Sequence, residues 1–323
     1  MTGCQAGPPD RQAVPGPRER ILVIRLSALG DFILALPAMA AIRRHHPVSH
    51  ITLLTSASLA ELGGKSGWFD RIEIDDRPRW LNVPGWLRLR RRLRAGRYDR
   101  VYDLQAQDRT ALYFRLFWPG KRPEWSGIAR GASHPHRDPQ RGRMHALDIH
   151  AAQLRIAGIE TIPAPDLGWI DDPALVGLDL PERFALLVPG AAAHRPAKRW
   201  PIDLYAALGR RLVDRGITPV IVGSESERVL ADRIRATCPE ARDLTGRTPL
   251  LAIGGLARRA VAAIGNDTGP MHLAAMVGCR SVVLFSADSN PDRAAPRGAN
   301  VTILGCDDLA DLPVDEVASA LNL

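Results

Sequence analysis

The chain has 323 residues, 46% of them hydrophobic and 24% charged, with a net charge of +8. That length exceeds a single hydrophobic core and favours two domains, and that composition excludes wholesale disorder. The basic balance implies an acidic partner, whether nucleic acid, a phosphorylated substrate or an anionic membrane face.

Residues 1–19 are rich in Pro, Gly and charge and lack an apolar h-region. They read as a disordered leader, not as a signal peptide. "RILVIRL" (20–26) is short and β-branched, the signature of a buried strand. An apolar-periodic helix through about Arg44 follows it. Pro37 lies inside that run, and an interior proline costs about 3 kcal/mol or more. The regular helix is therefore expected to start late or kink, leaving 27–36 as a loop and turn. "HITLLTS" (50–56), "RIEIDD" (71–76) and "RVYDLQ" (100–105) read as further strands, and "HALDIHAAQLRIAG" (145–158) as a helix ended by Gly158.

Residues 159–182 carry prolines, glycines and acids with little periodicity, and the linker is set at 166–182. The same grammar then restarts. "RFALLVPG" (183–190), "TPVIVG" (218–223), "AVAAIGND" (260–267) and "SVVLFS" (281–286) read as strands. Helices are expected from Pro201 to Arg215, from Glu225 to Ala236 and from Met271. Such alternation implies an α/β chain of two tandem Rossmann-like doubly wound parallel-sheet domains, 20–165 and 183–323, facing a cleft. Ligands in such sheets bind beyond the carboxyl ends of the strands.

The loops at those ends carry the chemistry. In "GNDTGPMHLAAMVG" (265–278) an acid, a hydroxyl and a glycine precede Pro270 at a helix start, with His272 close behind. A helix N-terminus with unpaired N–H groups is an anion site, although Asp267 or Thr268 could serve as a simple cap. "PGAAAHRPAKRWP" (189–201) is rich in small residues and offers Lys198 to a phosphate, the alternative being an ordinary basic loop. In "VGSESERVLADRI" (222–234), Glu225 and Glu227 are both candidates for a ribose hydroxyl pair, or for favouring a helix N-terminus. In "RLSALGDFILALP" (25–37), Asp31 is either a helix cap or a carboxylate held at the cleft.

Other features point elsewhere. His134 and His136 lie in a polar loop with no carboxylate pattern, so no metal site is expected there; the loop at 129–145 reads instead as a mobile segment able to reach a bound substrate. Asp307, Asp308 and Asp311 read as a solvated loop. The chain lacks G-x-G-x-x-G after the first strand, and lacks G-x-S-x-G and Walker A patterns, which argues against a dinucleotide oxidoreductase, a serine hydrolase and a P-loop enzyme. Four scattered cysteines read as core hydrophobes or idle thiols of a reducing compartment. With no apolar segment near the ~20 residues needed to span a bilayer, a cytoplasmic location is expected. The segment 80–100 interleaves Trp80, Trp86 and leucines with seven arginines. It fits either an anionic membrane surface or a solvated surface helix.

Three of these stretches together, "GDFILALP", "PGA…KRWP" and "NDTGPMHLAAMVG", resemble glycosyltransferase family 9, the ADP-heptose:lipopolysaccharide heptosyltransferases. The resemblance runs from about Arg20 to the C-terminus. It implies a GT-B architecture in which the N-terminal half binds the acceptor and the C-terminal half the nucleotide sugar, with the last helix able to pack back on the N-terminal domain. It implies inverting, metal-independent heptose transfer from a donor such as ADP-heptose to a phosphorylated, lipid-linked core saccharide at the inner face of the membrane. By position, Asp31 would be the general base, with Ser27 and Gly30 in the acceptor-side loop. Lys198 would hold the donor phosphates and Glu227 the ribose. Asp267 would touch the donor sugar, and Thr268 and Gly269 would present N–H groups to the pyrophosphate near His272. Ala191, Ala192 and Ala193 stand where many members carry hydroxyl residues, so only the backbone there is expected to contact phosphate. The rival readings are a nucleotide-sugar epimerase of the same fold and a non-catalytic nucleic-acid-binding module. The low aromatic fraction of 5% weighs against the second, because few side chains could stack on bases.

Overall fold

The computed structural model describes residues 18–170, 175, 178–192 and 195–322. The leader up to position 17, parts of the linker, and Ala193 with His194 lie outside the described residues. The N-terminal sheet contains β1 (Arg20–Ile24), β2 (His50–Thr55), β3 (Arg71–Ile74), β4 (Arg100–Asp103), β5 (Glu124–Gly127) and β6 (His134–Pro135), in the order β3-β2-β1-β4-β5-β6. The C-terminal sheet contains β7 (Phe184–Val188), β8 (Thr218–Ile221), β9 (Arg242–Asp243), β10 (Ala262–Asn266), β11 (Ser281–Phe285) and β12 (Val301–Gly305), in the order β12-β11-β10-β7-β8-β9. All pairings are parallel, with Ile21 opposite both Ile51 and Arg100, and Leu187 opposite both Ile264 and Ile221. Each half thus follows the doubly wound order 3-2-1-4-5-6, whose switch point lies between its first and fourth strands.

The helices are α1 (Leu29–His45), α2 (Ala57–Lys65), α3 (Val83–Ala95), α4 (Asp108–Tyr113) and α5 (Ala146–Ile156), then α6 (Ile202–Val213), α7 (Arg228–Thr237), α8 (Leu250–Arg259), α9 (Gly269–Met276), α10 (Pro291–Ala294) and α11 (Val314–Ala320). Central strands are buried on both faces, as the unbroken burial of Phe184–Val188 and Ala262–Asn266 shows. This is why they read as continuous apolar runs instead of alternating ones.

Three expectations need correction. First, α1 neither starts late nor stops at Pro37: it is helical from Leu29 to His45. Nine of its residues are buried, including Phe32, Ile33, Leu36 and Met39. Burial at ~1.5–3 kcal/mol for each large side chain outweighs the cost of one proline, so 27–36 is not a free loop. Second, the last helix does not pack on the N-terminal domain. Val317 and Ala318 of α11 join a core with Tyr205 and Leu208 of α6. The preceding turn is pinned where the Trp200 indole N–H donates to the Leu312 carbonyl at 3.0 Å. Third, the polar loop after β5 is partly built into the fold. His134 and Pro135 form the edge strand β6, and His136 and His145 are buried.

The two domains meet through α1 and α9. One hydrophobic cluster contains Phe32, Ile33 and Leu36 from the N-terminal half, Leu251, Ile253 and Leu273 from the C-terminal half, and Leu167 and Ile170 from the crossing segment. Glycines permit the close approach: a Cβ on Gly269 would lie 2.9 Å from the Leu29 Cβ, and one on Gly30 would lie 2.9 Å from His272 Cδ2. Because Leu273 belongs to α9 yet packs in this shared core, Leu273→Ala is expected to lower stability by about 2–5 kcal/mol. The shift of the urea unfolding midpoint, at constant slope, measures it.

Candidate active site

On the N-terminal side the wall is built where β1 ends. Gln105, just beyond β4, accepts through Oε1 from the Leu26 N–H at 2.9 Å and the Ser27 N–H at 3.2 Å. Arg25 is buried and donates to the Leu104 carbonyl at 2.6 Å. Its other guanidinium nitrogen lies 3.3 Å from Asp31 Oδ2. Asp31 sits in the first turn of α1, and its Oδ2 also accepts from the Ala28 N–H at 3.3 Å. It is therefore a cap as expected, but its side chain remains 46% exposed to the cleft. One carboxylate thus caps the helix and faces the cavity at once.

On the C-terminal side the centre is Asp267, which follows β10. Lys198 Nζ donates to its Oδ2 at 2.7 Å, and the Ser289 hydroxyl donates to the same oxygen at 2.8 Å. His272 Nε2–H donates to Oδ1 at 3.3 Å. Burial works against the charge on Asp267, but the hydrogen bonds from His272 and Lys198, the Lys198 charge and the Ser289 hydroxyl hold its carboxyl well below the usual range. Thr268 is the N-cap of α9, and its buried hydroxyl has no partner among the described residues. The α9 N-terminus therefore opens onto the cleft with its dipole and free N–H groups.

Asn266 was not singled out from the sequence, although it holds this side together. It is fully buried and donates to the Pro189 and Gly190 carbonyls at 2.9 and 3.1 Å. Its Oδ1 accepts from the Trp200 N–H at 2.9 Å and the Tyr205 hydroxyl at 3.2 Å. The loop carrying Lys198 is thereby registered on the strand carrying Asp267. Arg199 belongs to this scaffold too, donating to the Ala191 carbonyl at 2.9 Å.

The two glutamates left open by the sequence now separate. Glu225 is exposed and pairs with Arg228 at 2.7 Å. Glu227 accepts from the Ser224 N–H at 2.7 Å and from its hydroxyl at 2.8 Å. A Cβ on Gly223 would lie 2.9 Å from Glu227 Oε2, and one on Gly190 would overlap its carboxylate. Two strand-end glycines therefore make room for Glu227 beside the cleft.

Three adjoining cavities run along the interface. One of about 410 Å³ is lined by Gly190, Ala191, Ala192, Glu227, Thr268 and Pro270, among others. The central one, about 480 Å³, gathers Gly30, Asp31, Ala192, Lys198, Asp267, Thr268, Gly269 and His272. The third, about 440 Å³, shares Asp31, Lys198 and Asp267 and extends to Arg25, Arg141, His150 and Arg293. Of the described residues considered for the site, Ser27 and the alternative ribose candidate Glu225 line none of them. Arg195, Arg141 and His150 line the cleft and were missed: Arg195 stands in the basic loop 189–201 with no signal of its own, and Arg141 and His150 have no motif around them. Among the described residues, no group of three or more His, Cys, Asp and Glu side chains could hold a metal ion.

Behind the third cavity lies a buried polar cluster at the β1/β4 switch point. Burial pushes the Asp103 carboxyl up to about 6, against the Ala106 N–H bond and the Arg25 and Arg141 charges. Burial, reinforced by Arg25 and Arg141, brings His150 down to about 3.

Two doubly wound parallel sheets facing a cleft, with a carboxylate on one wall and a cation and helix N-terminus on the other, define a protein of GT-B architecture. Residues 86–320 match the profile of glycosyltransferase family 9 (heptosyltransferase), and the chain belongs to that family. It is 28% identical over 313 residues to lipopolysaccharide heptosyltransferase 1 of Pseudomonas aeruginosa, with 89% of this chain and 84% of the relative covered. Its fold is similar to that of the family 9 glycosyltransferase from Veillonella parvula (TM-score 0.80, 22% identity, covering 94% of this chain and 96% of the other). It is also similar to the E. coli heptosyltransferase WaaC with ADP-2-deoxy-2-fluoro heptose (TM-score 0.74, 20% identity, covering 94% and 99%).

The buried histidine has a consequence for stability. His150 is neutral when folded and takes up a proton near pH 6.5 only when unfolded. Its contribution is thus lost as pH falls from about 6.5 towards about 3. His150→Gln is expected to flatten the acid-side decline of unfolding free energy by about 1 kcal/mol per pH unit in that window. Urea titrations at several pH values measure the slope; an unchanged slope rules out this protonation linkage.

Proposed function

We propose that this glycosyltransferase moves a heptose, or a related sugar, from ADP-heptose to a lipopolysaccharide core acceptor by a single inverting displacement without a metal. The observation that carries this reading is the central cavity, where Asp31 faces Lys198, Asp267 and the α9 N-terminus. The nucleoside enters the cavity lined by Gly190, Ala191, Ala192, Leu250 and Ile253. Glu227 there accepts from the ribose hydroxyls. The pyrophosphate lies against the Thr268 and Gly269 N–H groups, and Lys198 turns from Asp267 towards it. Asp267, held with His272, faces the sugar.

In the reaction, Asp31 takes the proton of an acceptor hydroxyl brought in along the wall of Ser27 and Gly30. The oxygen attacks the anomeric carbon from the face opposite the nucleotide, the bond to the diphosphate breaks, and the configuration inverts. ADP leaves with charge that Lys198 and the helix N-terminus stabilise, the groups a metal-free displacement requires. Arg25, which is held by the Leu104 carbonyl, aims the Asp31 carboxylate.

The acceptor of this reading is lipid-linked, and one surface suits the cytoplasmic face of an inner membrane. Trp80 (63% exposed), Leu81 (94%), Val83, Leu87 and Trp118 cluster on and beside α3, while Leu89 and Leu93 turn inward. Five of the eight large hydrophobic side chains most exposed in the structure stand here, amid Arg88, Arg91 and Arg94. Arginine heads with aromatic and aliphatic side chains between them match an anionic bilayer surface. Among the described residues no helix is long and apolar enough to cross a membrane, which leaves surface docking as the mode of contact. No role for nucleic acid is proposed.

Two experiments test this reading. Asp31→Asn is expected to cut transfer from ADP-heptose to isolated core acceptor by about 10²–10⁴-fold, with ADP affinity by calorimetry unchanged. A parallel loss of ADP binding and thermal stability would instead make Asp31 only a cap. A Trp80→Ala, Leu81→Ala double variant is expected to lose sedimentation with anionic vesicles while keeping transfer to a water-soluble acceptor.

A further inference from the structure

The third cavity has an excess of positive charge. Its walls carry five cationic side chains, Arg25, Arg141, Arg195, Lys198 and Arg293, against three carboxylates, Asp31, Asp267 and Asp288. Two of the carboxylates are committed, Asp31 to Arg25 at 3.3 Å and Asp267 to Lys198 at 2.7 Å. Among the described residues, no carboxylate comes within ion-pair distance of Arg141 or Arg293. Arg141 follows β6 in the N-terminal domain, and Arg293 stands on α10 of the C-terminal domain.

The two segments are held face to face. His145 Nε2–H donates to the Ala295 carbonyl at 2.8 Å, and Arg297 binds Asp148 through both nitrogens at 2.9 Å. Two like charges thus stand on opposite walls of the cavity, with neither in an ion pair among the described residues. Burial and the Arg293 charge lower Arg141 from its ordinary range, while Asp103 pulls it back from behind. The buried Nε of Arg141 has no hydrogen-bond partner, and neither has the buried Nδ1 of His150 on the same wall. An unpaired buried donor such as Arg141 Nε on the wall of a cationic cavity favours an anion, and a guanidinium pair suits a phosphate, whose oxygens can accept from both.

We infer that Arg141 and Arg293 form a phosphate clamp across the cleft, which binds a phosphate substituent of the acceptor saccharide and ties the two domains together around it. This rests on the transferase reading above and specifies the acceptor that the site takes. The clamp stands in the same cavity as Asp31. A phosphate seated there holds the acceptor from a point remote from the attacking hydroxyl, leaving that hydroxyl free to face the base. Conversely, an acceptor without the phosphate leaves two arginines repelling each other across the cleft.

Inorganic phosphate is the probe, titrated calorimetrically into the full chain with ADP titrated separately; neither measurement needs turnover. Arg141→Ala and Arg293→Ala are each expected to weaken phosphate binding at least tenfold with ADP affinity kept within twofold. Arg293 is solvent-exposed, so its replacement leaves the core intact. With phosphorylated core acceptor, Arg293→Ala is expected to raise KM at least tenfold at nearly constant kcat. With the same acceptor treated with phosphatase, wild type and variant are expected to coincide, which separates the acceptor's phosphate from free phosphate as the ligand. Equal phosphate affinity in all three proteins overturns the clamp. So does a matching fall in ADP affinity, which would assign the arginines to the donor, or a defect that survives phosphatase treatment. A wild type that binds ADP and phosphate but transfers no sugar would refute the transferase reading while leaving the anion site standing.

Discussion

A carboxylate sequestered from water must be compensated by donors brought from elsewhere in the chain, and Asp267 imposes that requirement on the whole C-terminal half. Its partners come from three places: Lys198 from the loop after β7, His272 from α9, and Ser289 from the segment after β11. Leaving one buried charge unpaired costs several kcal/mol, so the three segments are held in one arrangement. Asn266, one residue earlier, does the same for the backbone by binding both ends of the loop that carries Lys198. The C-terminal side of the cleft is therefore preorganised by polar compensation.

The N-terminal side is organised differently. Asp31 is placed by the start of α1, and α1 is placed by apolar burial that overrides its internal proline. The same helix forms the domain interface with α9, where Gly30 meets His272 and Gly269 meets Leu29. Small residues at that contact let the two helix starts approach closely, which sets Asp31 opposite the α9 N-terminus. Asp31 and the α9 N-terminus, the base and leaving-group stabiliser of the proposed reaction, are thus positioned by one packed contact between domains.

Much of this was legible in order along the chain. The alternation of apolar strands with helices, the restart near 183, and the clusters at 25–37, 189–201 and 265–278 predicted two doubly wound halves and most of the cleft residues. What failed did so where local preference met tertiary packing. Pro37 argued for a broken helix, and burial kept it whole. The polar stretch at 129–145 showed no periodicity, yet it supplies an edge strand and buried histidines. Glu225 and Glu227 were indistinguishable by pattern, because only the glycines at 190 and 223 decide which one has room beside the cavity.

The sequence by itself determined the fold class and the identity of the strand-end loops, because burial periodicity and turn chemistry are local properties. Only the tertiary structure decided which side chains share a cavity. Arg141, His150 and Arg293 carry no motif, Asn266 stands inside one without a signal of its own, and the importance of all four arises from neighbours far away in the chain. Hydrogen bonding and electrostatic interaction act over a few ångströms in space, and chain order does not record those distances until the two sheets are built and closed on each other.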